Sequence, residues 1–280
     1  MLLFSAPLHS LRKTRFFRWL LGSKLNRPQM CNLGFNHEVA LRPFTHASIR
    51  WGRKRREPNI RKIMQSICRL LDERSDRGFF FDVGANVGLY SWEMRQICPN
   101  RKIIAFEPDP KNLELLQLTV QNNCLAKIEI ISSGLSNVSE QASFFQDELT
   151  SATGTLDKEN KPWVERYLNG SAKEILVKTT TMDEIVKQGK QPSLVKIDVE
   201  GHEIEVLEGS NETLAQAKPL LIIESFPPKQ NRVIKILQSK GYEFIDADHS
   251  SHVNKNTHNL FAWHSSGPLN KKDLQIILSA

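Results

Sequence analysis

One ten-residue stretch constrains this chain more than any other: Phe79-Phe80-Phe81-Asp82-Val83-Gly84-Ala85-Asn86-Val87-Gly88. An apolar run ends in an acid, two glycines bracket a small-residue turn, and an amphipathic segment follows from Leu89 to Ile97. The pattern predicts a buried strand, a tight turn and a helix start, an arrangement that holds a nucleotide-like ligand at a strand's carboxyl end. Glycine suits such a turn because a side chain would block close approach and penalise positive φ. A second apolar run, Ile103-Ile104-Ala105-Phe106, ends in Glu107. That acid lies about twenty residues further on, where a carboxylate can accept both hydroxyls of a ribose.

The turn lacks the G-x-G-x-x-G spacing of a dinucleotide fingerprint. Asp82, directly before it, would repel a pyrophosphate. S-adenosylmethionine carries an ammonium, a sulfonium and a carboxylate but no phosphate, so Asp82 would attract it. A nicotinamide-linked oxidoreductase is the rival reading, opposed by the missing third glycine and by Asp82. A structural α/β turn is the plain alternative.

At 280 residues, 40% hydrophobic, the chain can bury a full core. The charge is uneven. Up to Arg77 there are 17 Lys and Arg against 5 Asp and Glu, a net of +12; the remainder holds 21 against 26, a net of −5. The basicity belongs to an N-terminal arm, expected over residues 1–58 and partly helical, ahead of an enzyme domain over 59–280. Cys31, Cys68, Cys98 and Cys124 form no C-x-x-C pair and no metal spacing, so a reduced, cytoplasmic chain is the default expectation. No apolar run has the length of a transmembrane helix, and Met1 to Pro7 is too short for a signal peptide.

Within the arm, Phe16, Phe17, Trp19, Leu20 and Leu21 stand among Arg12, Lys13, Arg15, Arg18 and Lys24. Such a basic helix can make peripheral contact with an anionic membrane or a partner, or pack on the domain. The cluster Arg50-Trp51-Gly52-Arg53-Lys54-Arg55-Arg56 could meet nucleic-acid phosphates, and a nucleic-acid-binding protein acting through it is a further alternative. No stacking platform or nucleic-acid module accompanies it, so a solvated face is preferred. Ile60 to Leu71 then reads as an amphipathic helix covering the sheet.

Strands alternate with helices from there on, which predicts a mostly parallel sheet between helical layers. Pro110 to Asn122 reads as helix, and Ile128 to Ile131 as strand ending in Ser132-Ser133-Gly134. Ala142–Phe145 and Glu174–Thr180 read as strands around an insertion near 145–175, which contains Trp163 and Tyr167 and is a candidate substrate lid. Thr181-Met182-Asp183-Glu184 is a capping box. Strands recur at Leu194–Ile197, Leu220–Ile223, Glu243–Ile245 and Leu260–Trp263. The last two lie close together and suggest an antiparallel edge pair.

A second chemical cluster is Leu194-Val195-Lys196-Ile197-Asp198-Val199-Glu200-Gly201-His202-Glu203. Lys196 is enclosed by hydrophobics, and Asp198 falls at the strand's carboxyl end, facing the ligand crevice. Glu200 and His202 follow in the turn. Glu203, Glu205 and Glu208 are expected to complement the helix dipole and face water. Glu224, closing the next strand, is expected beside the cluster.

These motifs together resemble the FkbM family of S-adenosylmethionine-dependent methyltransferases. The resemblance rests on D-V-G-A-N-V-G, Glu107-Pro108, T-T-T-M-D-E-I at 179–185, K-I-D-V-E-G-H-E at 196–203 and K-P-L-L-I-I-E at 218–224, and covers Phe79 to Trp263. It implies a class I methyltransferase fold: a Rossmann-like α/β sandwich on a seven-stranded, mostly parallel sheet with its last strand antiparallel. It also implies O-methylation of a small-molecule, sugar or natural-product hydroxyl. By position, Asp82, Gly84, Asn86 and Gly88 would border the methionine moiety, Glu107 the ribose and Ser133 the adenine.

The chemistry asks for an acceptor oxygen aligned behind an already activated methyl, with water excluded. A base should take the alcohol's proton. His202 is the first choice because its ordinary pKa lies near neutrality. Asp198 is the second, as base or as orienting group, with Glu200 and Lys196 beside them. Asp198, Glu200 and His202 could hold magnesium or manganese only in an unusual turn, so no metal is assigned.

Overall fold

The computed structural model describes residues 14, 16, 19, 22–51, 57–151, 153–168 and 172–278. A seven-stranded sheet is built from β3 (Phe79–Val83), β4 (Ile103–Phe106), β5 (Ile128–Ile131), β9 (Pro192–Ile197), β10 (Leu220–Glu224), β11 (Tyr242–Asp246) and β12 (Asn259–His264). Its order is β11-β12-β10-β9-β3-β4-β5. The pairs from β10 through β9, β3 and β4 to β5 are parallel, and β12 runs antiparallel to both β10 and β11. The last strand is therefore antiparallel, as read from sequence. It sits inside the sheet, however, with β11 alone at the edge, because β12 turns back to pair with β10.

The apolar runs read as strands because both sheet faces are covered by helices. Alternation assigns each side chain to a face. Phe80, Leu194 and Ile222 pack under α2 (Pro58–Glu73) with Ile60, Met64 and Ile67. Phe81, Val195 and Ile223 pack on the opposite face with Ile204, Leu207 and Val233. Helix α3 (Leu89–Ile97) follows β3, and α4 (Pro110–Asn122) follows β4, capped by the Asp109 side chain accepting from the Lys111 amide.

The arm does not end where the charge shift suggests. Hairpin β1 (Gln29–Cys31)–β2 (Val39–Leu41) buries Cys31, Val39 and Leu41 against Trp92, Leu115 and Leu116, and the Ala40 amide donates to Thr119 Oγ1 at 2.9 Å. Residues 29–50, including the short α1 (Ala47–Arg50), thus belong to the folded body. Further out, Phe16 and Trp19 are exposed, with ring centroids 6.0 Å apart. The rest of the aromatic-basic segment and residues 52–56 of the basic cluster lie outside the described residues. No described helix is long and apolar enough to cross a membrane.

The insertion is built around a small sheet. Strand β6 (Gly134–Leu135) pairs parallel with β8 (Lys173–Thr180), and β7 (Gln141–Gln146) pairs antiparallel with it. Between β7 and β8 the chain carries a strap, residues 147–151 and 153–157, and α5 (Lys161–Leu168). The side chains of Trp163 and Tyr167 are outside the described residues. The capping box opens α6 (Met182–Lys187), with Thr181 Oγ1 accepting from the Glu184 amide at 3.1 Å. The chain is completed by α7 (Glu203–Glu208), α8 (Asn211–Gln216), α9 (Gln230–Ser239) and α10 (Lys271–Leu278).

Candidate active site

The chain order reverses between β3 and β9, which places a crevice at the carboxyl ends of β3, β4, β9 and β10. Gly84, at φ 79°, lies so close to Asp198 that a Cβ would overlap its carbonyl oxygen. Gly88, at φ 84°, is pressed under the Trp92 ring. The turn glycines are therefore fixed by the chain's own backbone and core.

On the β3–β4 side, Glu107 is buried, and its Oε2 accepts from the Asn86 amide at 2.7 Å while Oε1 accepts from the Asp109 amide at 2.8 Å. Burial pushes its carboxyl up to about 8 despite those bonds. The Asn86 and Asn112 side-chain amides both donate to the Ser151 carbonyl, at 2.8 and 3.4 Å, so the strap crosses here. Their Oδ1 atoms are buried without partners. Ser133, half-buried, turns the chain after β5, and Leu156 of the strap covers the neighbouring Gly134 near Pro108. The strap is held by Asp147, whose Oδ1 accepts the Leu149 and Thr150 amides at 2.9 and 3.0 Å.

Asp82 does not open onto the crevice. It is 1% exposed, and its Oδ2 accepts from the Ser91 amide at 2.9 Å and Oγ at 2.6 Å, tying β3 to α3. Burial raises its carboxyl to about 6.

Across β9 and β10 a second group gathers. Asp82, Lys196 and Glu224 share the sheet face that α2 and α3 cover, by register and alternation. Lys196 is fully buried, with Nζ 3.5 Å from Asp198 Oδ2 and 5.0 Å from the Tyr90 ring centroid. Burial opposes its charge, but Asp198, Glu224, Glu57 and Asp82 together raise its pKa, so it stays an ammonium. Glu57, at the start of α2, accepts from the Tyr90 hydroxyl. Glu200 is pushed up to about 8 and Glu224 to about 9, first by burial and then by the Asp198 carboxylate.

His202 is placed elsewhere. Glu200 (φ 51°) and Gly201 (φ 100°) are successive left-handed residues that swing the chain away from Asp198. The His202 ring is 3.0 Å from Ser136 Oγ and 3.5 Å from Glu205 Oε2, in a cleft of about 350 Å³ shared with Asn137, Asp157 and Leu176. Burial lowers its pKa; the charges felt there are Glu205, Asp157 and Lys229, with Asp198 not among them. The structure thus brings Lys196, Asp198 and Glu200 together and leaves His202 beside a different cleft. Among the described residues no three His, Cys, Asp or Glu side chains could hold a metal ion.

Glu203 departs from its expected exposure. It is 3% exposed and accepts from the Gly201 amide at 2.7 Å, bracing the turn, with burial raising its carboxyl to about 7. Tyr90, Glu57 and Asn112 escape a sequence reading, because each reaches the crevice from a helix whose pattern signals only packing.

A parallel sheet of this order, with its final strand inserted antiparallel and an acid-lined crevice at the reversal, defines the class I methyltransferase fold. The methyltransferase FkbM domain matches residues 82–244, and the chain belongs to that family. Methyltransferase sdnD of Sordaria araneosa is 27% identical over 190 residues, 59% of this chain and 73% of that protein. Hexuronic acid methyltransferase AglP of Haloferax volcanii is 32% identical over 166 residues, 57% of this chain and 61% of that protein. Among solved structures, methyltransferase FkbM from Methylobacillus flagellatus KT aligns with TM-score 0.46 and 17% identity over 67% of this chain. This chain spans 44% of that one.

Proposed function

We propose that the protein transfers a methyl group from S-adenosylmethionine to a hydroxyl, with a carbohydrate or related polyol as acceptor. The cofactor supplies an activated methyl that needs no further activation by the protein. The observation that supports its fit is the Glu107 pocket: a buried carboxylate flanked by two amide oxygens, Asn86 Oδ1 and Asn112 Oδ1, that lack donors. Ribose hydroxyls and an exocyclic amine are donors of the kind these groups lack. Glu107 would take the ribose, the turn from Gly84 to Gly88 the methionine part, and Ser133 with Leu156 the base. The strap over this side excludes water. The name of the Haloferax volcanii relative supports a sugar hydroxyl as the acceptor.

Asp198 takes the role of proton acceptor in this reading. Its side chain, 28% exposed, is the carboxylate of the Lys196 pair that opens to the crevice. Lys196 holds it in place. Asp198→Asn is expected to lower kcat about 10² to 10⁴-fold, the usual span for a lost general base. His202→Ala should keep at least about a tenth of the native rate, since the ring faces the neighbouring cleft. Single-turnover transfer of a labelled methyl to a polyol acceptor checks both; equal losses in the two variants would return the role to His202.

Binding should also depend on pH. Donors from the cofactor favour the charged form of Glu107, so binding lowers its pKa from about 8 and expels a proton. Affinity is therefore expected to rise between about pH 6 and 8, by up to about tenfold per unit, and to level off above. Calorimetry at pH 7 in buffers of differing ionisation heat should show proton release; proton uptake would contradict it.

A further inference from the structure

The strap is fastened at two places. At the cofactor turn, the Ser151 carbonyl accepts from the Asn86 and Asn112 side chains. At the far end, three donors converge on the turn that follows Asp198. Thr155 Oγ1 and Asn160 Nδ2 donate to the Glu200 carbonyl at 2.9 and 2.6 Å, and Lys229 Nζ donates to the Gly201 carbonyl at 3.1 Å. Lys229, just ahead of α9, also donates to Asp157 Oδ2 of the strap and lies 3.6 Å from Glu159 Oε2. One ammonium thus grips the turn and the strap at once. The two approach so closely that a Cβ at Gly201 would overlap Asn160 Nδ2.

With this clasp made, the groups proposed to meet the cofactor are shut in. Glu107 and Asn112 are each 4% exposed, and the Oδ1 atoms of Asn86 and Asn112 are buried. Leu156 lies over Gly134 on the side proposed for the base. A ligand that touches these atoms cannot enter or leave past a fastened strap. The strap's backbone pairs with β7, through Phe145 and Thr155, whereas the bonds named above that span the crevice are all made by side chains. Of these, the Lys229–Asp157 pair joins two charges, the strongest kind of hydrogen bond in the set. Its loss lowers the barrier to entry and to escape alike, because the pair belongs to the strap and not to the ligand.

Resting on the methyltransferase reading above, we infer that Lys229 is a positioning residue that sets how fast the cofactor enters and leaves. It does so by clasping the strap to the turn after Asp198.

Surface plasmon resonance of the full chain with S-adenosylhomocysteine reads both rates. Failure of the native chain to bind would remove the methyltransferase reading itself. Given that binding, Lys229→Met and Asp157→Asn are each expected to raise association and release together by about tenfold, the scale of one charged hydrogen bond. The Kd should stay within about threefold of native, since both rates move by the same factor. Lys229→Arg, which keeps the charge and the donors, should hold both rates within about twofold of native. Native rates in either Lys229→Met or Asp157→Asn, whatever the melting temperature, overturn the inference. So does a release rate that rises alone and weakens Kd to match, the signature of a lost direct contact.

Discussion

Glu107→Ala is expected to weaken S-adenosylmethionine binding by about 100-fold or more. The carboxylate is the ribose acceptor of the proposed site, and each hydrogen bond to a charged group contributes about 1.5 kcal/mol or more. Two such bonds come to about 3 kcal/mol, a factor of about 100 in Kd. Two backbone donors also converge on Glu107, the Asn86 and Asp109 amides. Its loss would loosen the turn proposed to cradle the methionine part, so the direct effect is a lower bound. Equilibrium dialysis with labelled cofactor reads the change. A Kd within threefold of the native protein would move the ribose elsewhere.

Lys196→Met is expected to be the most damaging single change to stability. Lys196 is fully buried, and Asp198, Glu224, Glu57 and Asp82 all raise its pKa. Removing it leaves those carboxylates without the cation between them. Breaking a buried pair from one side costs about 3–5 kcal/mol. For a domain of this size, that corresponds to a melting temperature lower by roughly 10 °C. A sign check gives the pH course. Asp82, Glu57 and Glu224 already carry folded pKa values above their unfolded ones, so their contribution is most favourable below about pH 4 and erodes as pH rises. Without Lys196 the folded pKa values rise further, which widens the window of loss. The gap between variant and native melting curves should therefore be larger at pH 8 than at pH 5. An equal gap at both would mean that Lys196 acts through packing alone.

The two strand-turn units of the proposed site are legible in the sequence because their physics is local. Phe79–Val83 and Pro192–Ile197 lie in a sheet covered on both faces, so they read as mostly apolar runs with an acid, Asp82 or Asp198, near the carboxyl end. The Thr181 capping box and the Pro110 helix start announced themselves in the same way. Other features depend on contacts distant in sequence. The three-residue strands at Gln29 and Val39 are too short for any periodicity, and only their packing on Trp92 and Leu116 makes them part of the body.

The four ionisable residues from Lys196 to His202 look like one constellation on paper. Two successive left-handed residues, Glu200 and Gly201, divide them, and a glutamate in that conformation carries no sequence mark. Spacing alone marks Glu203 as a solvated helix-start acid, because its burial beneath Ser225 and the Gly201 turn depends on contacts that spacing does not carry. Glu57 joins the crevice only because α2 begins there, more than 130 residues before its neighbour Asp198.

The central claim is that the carboxyl ends of β3 and β4 hold S-adenosylmethionine. Equilibrium dialysis of the native chain with labelled cofactor at pH 8, beside Glu107→Ala and His202→Ala, tests it most directly. The account predicts one cofactor per chain, lost in Glu107→Ala and kept in His202→Ala. No retention by the native chain, or equal retention by all three proteins, would contradict it.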